Sequence, residues 1–287
     1  MGQVLVPMLI SAGHRLTALS RSTTSDDKLK SWGAIPLRGD VTSLDVLKQG
    51  ARECDATMHL AFRDFKGMEE YAEVCADDRA AIAAMGEALA GTHKVFMYTS
   101  GTLGNKKGTV LDENDEKDEN AAGPRNLSEI ATMDLAKKGI HSMVIRMSPV
   151  VHGPGNKRSF VTILRDVAKE KGVSGYVDGG FRWPAVHVND AARLYLAALT
   201  HPPPAGSVLH GVGEEVIQTK EIAEVTGEGL GLPVKAIEPA DAMGHFGFPG
   251  MVLQMDNPTR WRKTTEWTGW EPREMGLIED TKTGGYF

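Results

Sequence analysis

Short apolar strands alternate with helical stretches through the first half of this chain, and few folds accept that alternation. Val4, Leu5, Met8, Leu9 and Ala12 recur at helical spacing, and Gly13 stops that helix. Arg15 to Ser20 then fits a strand, as does Ala34 to Leu37, with Gly39-Asp40 turning the chain after it. Ser43 is placed to cap a helix running to about Arg52. Ala56 to Phe62 is a strand, Gly67 to Ala90 one long helix, and Lys94 to Thr99 a strand ending in Ser100-Gly101-Thr102. A helix from Leu127 to Lys138 and a strand from Ser142 to Met147 continue the series. Such alternation predicts an α/β protein, a parallel sheet covered on both faces by helices.

After Pro149 glycine, proline and aromatic residues become common, as in His152-Gly153-Pro154-Gly155, Gly179-Gly180 and Trp183-Pro184. Residues 1–150 therefore read as the sheet part, and residues 151–287 mainly as a smaller lobe of loops and short helices. The acidic run Asp112 to Glu119 reads as a solvated loop, because it lacks the glycine and spacing of a calcium loop. His152, His187 and His210 show no metal-ligand spacing, so no metal is expected.

Composition narrows the function classes. A formal charge of −6 argues against a general nucleic-acid binder. Two isolated cysteines, Cys54 and Cys75, make no disulfide framework and suit a reducing, cytoplasmic compartment. No apolar run approaches the ~20 residues of a membrane span.

The first helix starts at once after Met1. A doubly wound sheet ordinarily opens with a strand and a glycine-rich turn before that helix. Gly2 reads either as the last glycine of a phosphate-binding fingerprint whose strand and earlier glycines are missing, or as the residue after an initiator methionine. We take the first reading. The missing strand would lie in mid-sheet, and each backbone group it left buried and unpaired would cost ~1–3 kcal/mol.

Several segments, in order, resemble the extended short-chain dehydrogenase/reductases, of the NAD-dependent epimerase/dehydratase kind. They are Ser11 to Ser22 (SAGHRLTALSRS), Gly39 to Leu47 (GDVTSLDVL), Met58 to Phe62 (MHLAF), Tyr98 to Thr102 (YTSGT), Ile145 to Gly155 (IRMSPVVHGPG), Trp183 to Leu199 (WPAVHVNDAARLYLAAL) and Gly269 to Pro272 (GWEP). The resemblance spans nearly the whole chain. It implies that residues 1–150 bind a dinucleotide, that residues 151–287 are mainly a small C-terminal substrate lobe, and that 185–212 return to the first part. It also implies a Rossmann-like doubly wound sheet and a nicotinamide dinucleotide held by Gly2, Arg21, Ser22, Asp40, Val41, Leu60, Ala61, Phe62, Ser100, Pro149, Val150 and His152. Arg21 stands where an acidic residue would bind the ribose of NAD, so NADP is expected, with NAD as the alternative; an ordinary surface arginine is the other reading. Family members often pair through two long helices, which implies a homodimer.

One departure bears on chemistry. The family's catalytic tyrosine, with a lysine four residues on that lowers its pKa, is replaced here by Ala121 and Arg125. Ser100 remains as a hydrogen-bond donor to substrate, or as a serine capping a strand end. Arg125 takes over the lysine's ribose contact. Tyr71 and Tyr176 are substitute acids that nothing in the sequence places at the nicotinamide, and His59 and Tyr98 read as strand packing. The expectation is an NADP-linked oxidoreductase, or an epimerase/dehydratase relative, acting on a small carbonyl or alcohol. Two rivals stand beside it: a dinucleotide-binding sensor or scaffold without catalysis, and an inactive fragment from a wrong start site or alternative splicing.

Overall fold

In a computed structural model the described residues are 1–65, 67–104, 108–117, 123–154 and 159–287. The chain begins with α1 (Gly2–Ser11), β1 (Thr17–Ser20), α2 (Thr23–Ser31), β2 (Ile35–Arg38), α3 (Leu44–Glu53), β3 (Ala56–His59), α4 (Met68–Leu89) and β4 (Val95–Gly101). It continues with α5 (Asn126–Asp134), β5 (His141–Met147), β6 (Val150–His152), α6 (Phe160–Lys171), β7 (Ser174–Val177), β8 (Arg182–His187), α7 (Val188–Thr200) and β9 (Ser207–Gly211). The later elements that matter below are β10 (Glu214–Gln218), α8 (Thr219–Leu230), β11 (Val234–Ile237), α11 (Arg262–Thr268) and α12 (Leu277–Thr283), with two short helices lying between β11 and α11.

Strands β3, β4, β5 and β9 form a parallel sheet in the order β3-β4-β5-β9. The second plate is the parallel pair β1-β2. No described residue joins β1 to β3 by strand pairing, and both strands are only half-buried over their first three residues. Packing holds the two plates together instead. On one face Leu5 and Leu9 of α1 bury with Ala191, Leu194 and Tyr195 of α7 and with Met97, Met143 and Ile145 of the sheet. On the other face Leu47 and Ala51 of α3 meet Ala81, Ile82 and Met85 of α4, over Phe96, Tyr98 and Val144. Gly86 permits the close approach of α4 to the turn after α5, since a Cβ there would lie 2.5 Å from Leu135.

The sheet is thus covered on both faces, as the alternation predicts. Boundaries moved by a few residues, and two expectations changed in substance. Ser43 heads α3, but its hydroxyl turns back to the Asp40 carboxylate at 3.2 Å instead of capping the helix. The acidic run is solvated only in part. Asn114, Asp115 and Glu116 are exposed, but Leu111 before it bridges Thr259, Glu113 accepts from the Thr264 backbone N–H and hydroxyl at 2.7 Å each, and Lys117 is buried. Glu113 turns inward because Thr264 supplies two donors there; Asp118 and Glu119 lie outside the described residues.

The remaining residues build a lobe around Trp183, Val161, Ile217 and Leu277. Its frame is a mixed sheet, β10-β8-β6, with the pair β11-β7 beside it. The GWEP segment returns to the main sheet's α7: Trp270 donates to the Asp190 carbonyl, and the Asp190 carboxylate accepts the Arg273 and Glu274 backbone N–H groups, all at 2.9 Å. No helix of the described residues is long and apolar enough to cross a membrane.

The two plates should differ in local stability. A two-stranded pair is marginal by itself, and half-buried strands open at lower free energy than core strands. In hydrogen exchange monitored by mass spectrometry, amides of β1 and β2 should exchange at least tenfold faster than those of β4 and β5. Equal protection would show that the split carries no energetic consequence.

Candidate active site

Parallel pairing sets Ser100, Arg146 and His210 side by side, one from each of β4, β5 and β9. In a pleated sheet such neighbours share a face, and here all three are buried. The rung lies near the carboxyl ends of the strands, where ligands bind in doubly wound folds.

Two residues outside the sheet complete the rung. Glu129 on α5 accepts from Arg146 Nη2 and Nε through one oxygen, at 2.6 and 2.8 Å. Its other oxygen accepts from Lys117 Nζ at 2.8 Å. Lys117 Nζ also donates to Ser100 Oγ at 3.2 Å. Only 3% of Ser100 and 8% of Lys117 are exposed, so these contacts form out of water. Arg146 is further held by the Asp115 carbonyl at 3.0 Å. His210 gives its Nδ1 side to the Arg260 carbonyl at 2.6 Å, which leaves Nε2 to accept from Arg146 at 3.5 Å.

The electrostatics follow from one anion shared by two cations. Burial alone would raise the Glu129 carboxyl, but Lys117 and Arg146 together bring it down to about 2. Burial lowers Lys117 to about 8, since Arg146 repels it and one shared carboxylate recovers only part of the lost hydration. The opposite senses are consistent: Glu129 has two opposite charges beside it, and Lys117 has one of each sign. Burial, then Arg146, lowers His210 to about 3, which keeps it neutral at ordinary pH.

Two residues earlier on the same strand lies a second polar rung. Tyr98 donates to one Asp78 oxygen at 2.7 Å, and His59 pairs with the other at 2.9 Å. Tyr98 is fully buried and hydrogen-bonded, which is more than the strand packing expected of it. Arg125 joins this rung. Its Nε reaches Tyr98 at 3.4 Å, its Nη2 donates to the Thr99 carbonyl at 3.0 Å, and its guanidinium stacks 4.1 Å over Phe62. Arg125 and Ser100 thus meet the same strand at successive rungs.

The other expected residues are placed as follows. Gly2 opens α1 and is exposed, as are Arg21 after β1 and Ala61 after β3. Ser22 caps α2, its hydroxyl accepting from the Ser25 N–H at 3.2 Å. Asp40 fixes its own turn by accepting from Thr42 N–H and hydroxyl at 2.9 and 2.7 Å, and Val41 beside it is half-buried. Leu60 packs against the α1–α7 core, and Phe62 contacts Tyr71 edge-on at 6.3 Å. Pro149 is half-buried after β5. Val150 is buried in the lobe core, and His152 is buried against Asp280 at 2.9 Å, which also receives Tyr286 at 2.6 Å. Of the substitute acids, Tyr71 is pushed by burial to about 12, and Tyr176 lies in the lobe near Lys220. Ala121 lies outside the described residues.

Lys117, Glu129 and His210 were not singled out from the sequence as chemistry-bearing. The available signals were an arginine inside the apolar strand IRM, which demands a buried carboxylate, and a lone lysine inside an acidic run.

With this geometry in view, known proteins sharpen the reading. The sequence model of the NAD dependent epimerase/dehydratase family matches residues 1–209. An uncharacterized protein of Schizosaccharomyces pombe is 39% identical over 292 aligned residues, covering 100% of this chain and 96% of that protein. An uncharacterized protein of Saccharomyces cerevisiae is 40% identical over 285 residues, covering 98% and 94%. Among solved structures, a Thermus thermophilus UDP-glucose 4-epimerase in complex with NAD has a TM-score of 0.74 at 16% identity, covering 98% of this chain and 93% of that one. A dTDP-glucose 4,6-dehydratase double mutant from Streptomyces venezuelae with NAD bound has a TM-score of 0.76 at 15% identity, covering 99% and 92%. At these identities the two structures show a common fold.

The buried triad makes acid stability a test of Glu129. Its folded-state carboxyl lies below the ordinary 4.5 at about 2, so its contribution is complete above pH 4.5 and is lost as the pH falls through that window. Glu129→Gln leaves two buried cations without an anion and should cost ~3–5 kcal/mol at pH 7. Urea unfolding from pH 7 to 3 should show the gap between wild type and variant narrowing with acid. A constant gap would remove the ion pair as its cause.

Proposed function

For a chain that belongs to the NAD-dependent epimerase/dehydratase family, we propose an oxidoreductase function: NADP-linked interconversion of a small carbonyl compound and its alcohol. The observation that carries this reading is Ser100. Its hydroxyl sits at the carboxyl end of β4, almost wholly buried and hydrogen-bonded to a buried ammonium.

The residues present fit a dinucleotide. The ten-residue α1 begins at exposed Gly2 with no acidic residue in its first turn, so its free N–H groups and positive end can face a pyrophosphate. Arg21 is exposed after β1 and would meet a 2′-phosphate, and Asp40, fixed by its turn, would meet the adenine. Ala61 and Ser100 follow along successive strands on the nicotinamide side. When bound, such a group supplies hydride, and the protein's part is to orient it and manage the proton. Ser100 polarises the substrate carbonyl; a hydrogen bond to the developing oxyanion is worth ~3 kcal/mol. Arg125 holds the adjoining backbone of β4 through the Thr99 carbonyl. Phe62, with Phe65 and Tyr71 packed on it, gives the site an apolar wall suited to a small organic substrate. The free thiols of Cys54 and Cys75 support a reducing, cytoplasmic setting. Leu127 and Ile130, exposed on α5, support pairing of two copies through α4 and α5.

The test is cofactor titration followed by turnover of a panel of aldehydes and ketones. NADPH should bind at least tenfold more tightly than NADH, and Arg21→Asp should reverse that order. Ser100→Ala should lower turnover ~10²-fold, as for loss of one oxyanion donor. An NADH preference in the wild type would defeat the Arg21 assignment. Firm binding without turnover of any substrate would favour the non-catalytic dinucleotide-binding reading.

A further inference from the structure

The family's tyrosine position holds Ala121 here, so the proton that accompanies hydride needs another source. Ser100 can pass a proton to the substrate oxygen, but an alkoxide left on serine must be reprotonated at once. We propose that Lys117 is the proton reservoir of this site and acts through Ser100. This rests on the oxidoreductase reading above.

Elimination among the groups facing Lys117 supports the choice. From β4 it faces Ser100, to which it already donates at 3.2 Å. From α5 it faces Glu129, an ionised carboxylate engaged by two cations, which has no proton to give. From β5 it faces Arg146, and a guanidinium is a poor proton donor. From β9 comes the charge-neutral ring of His210, whose Nδ1 proton is committed to the Arg260 carbonyl. Arg125, before α5, adds a further positive charge that weakens Lys117's hold on its proton. On its own segment, Glu113 is turned to Thr264, and Asp115 offers a carbonyl to Arg146. Among the described residues Lys117 is thus the one group in contact with the serine that can gain and lose a proton near neutrality, and its depressed ammonium, about 8, agrees with that role.

In the reducing direction the substrate carbon gains the hydride pair from the reduced dinucleotide, and its oxygen gains charge. The Ser100 O–H bond breaks as a new O–H bond forms on that oxygen. One Lys117 N–H bond then breaks to restore the Ser100 hydroxyl, and the neutral amine recovers its proton from solvent. Oxidation runs the same chain backwards, with neutral Lys117 as the final acceptor. Lys117 touches neither substrate nor cofactor in this scheme.

The first test needs no cofactor. In protein carrying ε-13C-lysine, the one resonance absent from Lys117→Met should titrate with a midpoint near 8, about two units below an ordinary lysine. A midpoint above 10 overturns the proposal. The second test uses turnover. Wild-type reduction should fall above pH 8, where Lys117 loses its proton. Lys117→Met and Lys117→Arg should each lower kcat at least ~10²-fold, within the usual range for an acid–base group, and abolish that limb. KM, cofactor affinity and melting temperature of Lys117→Arg should stay close to wild type. Adding Lys117→Met to Ser100→Ala should lower kcat less than threefold further. If Lys117→Arg restores kcat to within threefold of wild type, the lysine only holds Glu129 and Ser100 in place, and the proposal falls while the oxidoreductase reading stands. If wild type reduces no carbonyl although dinucleotide binds, the oxidoreductase reading fails and takes this proposal with it.

Discussion

The Glu129 carboxylate is the point on which the active-site end of the sheet depends. It is one buried anion between two buried cations, each contributed by a different part of the chain. Arg146 enters from mid-sheet, inside the otherwise apolar run Met143–Met147 of β5. Lys117 enters from an acidic loop that would otherwise have no reason to fold inward. Removing ions from water costs several kcal/mol each, so such a triad is weak evidence for stability as such. What it provides is position: it fixes α5 to β5 and seats the 111–117 segment over β4. Ser100 is consequently covered by a charged group instead of by solvent.

The surrounding packing makes that arrangement reproducible. The sheet is pinned on one face by α1 and α7 and on the other by α3, α4 and α5. The C-terminal segment closes on the same frame, because Trp270 and the Asp190 carboxylate tie it to α7, and the Thr264 hydroxyl accepts the His210 N–H at 2.7 Å. Thr264 in turn donates to Glu113, so the end of the chain buttresses the loop that carries Lys117. The division between the β1-β2 pair and the main sheet falls away from this centre. It lies beside the segment that carries Arg21 and Asp40, not at the rung around Ser100.

Most of the fold was legible in the sequence because it is written in local periodicity. The alternation of apolar strands with helices located nearly every element of the first 150 residues, although α2 between the first two strands was not read. The site was legible only in part. Ser100 was singled out from its place at the end of the fourth strand and Arg125 from its spacing to Arg146, and both meet β4 in the structure. Lys117 could not be read, because the choice between a solvated and a buried loop depends on long-range partners. A run of acids looks hydrophilic whatever it meets, and Glu113 is buried because Thr264, 151 residues away, supplies two donors. Ser43 was misjudged for a related reason: its hydroxyl oxygen accepts from the Asp40 backbone N–H at 3.1 Å while its proton goes to the Asp40 carboxylate, so the hydroxyl is turned into the preceding turn and away from the helix amides.

Comparison of the two polar rungs on β4 shows why one is suited to chemistry and the other to support. Tyr98 and Ser100 lie two residues apart on one face of one strand. At the Tyr98 rung both Asp78 oxygens are taken, by His59 and by Tyr98 itself. Burial would raise the Asp78 carboxyl, but those hydrogen bonds hold it below its usual range, while burial drives the Tyr98 phenol far above its own. Both shifts move proton exchange away from neutrality, so this rung is electrically fixed. At the Ser100 rung the same low-dielectric setting does the reverse for Lys117. It brings an ammonium that is ordinarily inert at pH 7 toward the range in which it can exchange a proton. Arg125 braces the first rung, and Glu129 limits how far the second can shift, since a lysine with no carboxylate beside it would already be neutral and unable to donate. The same burial therefore produces a rigid floor and a titratable roof, and the direction depends on whether the charged form that burial disfavours is an anion, as for the Tyr98 phenolate, or a cation, as for the Lys117 ammonium.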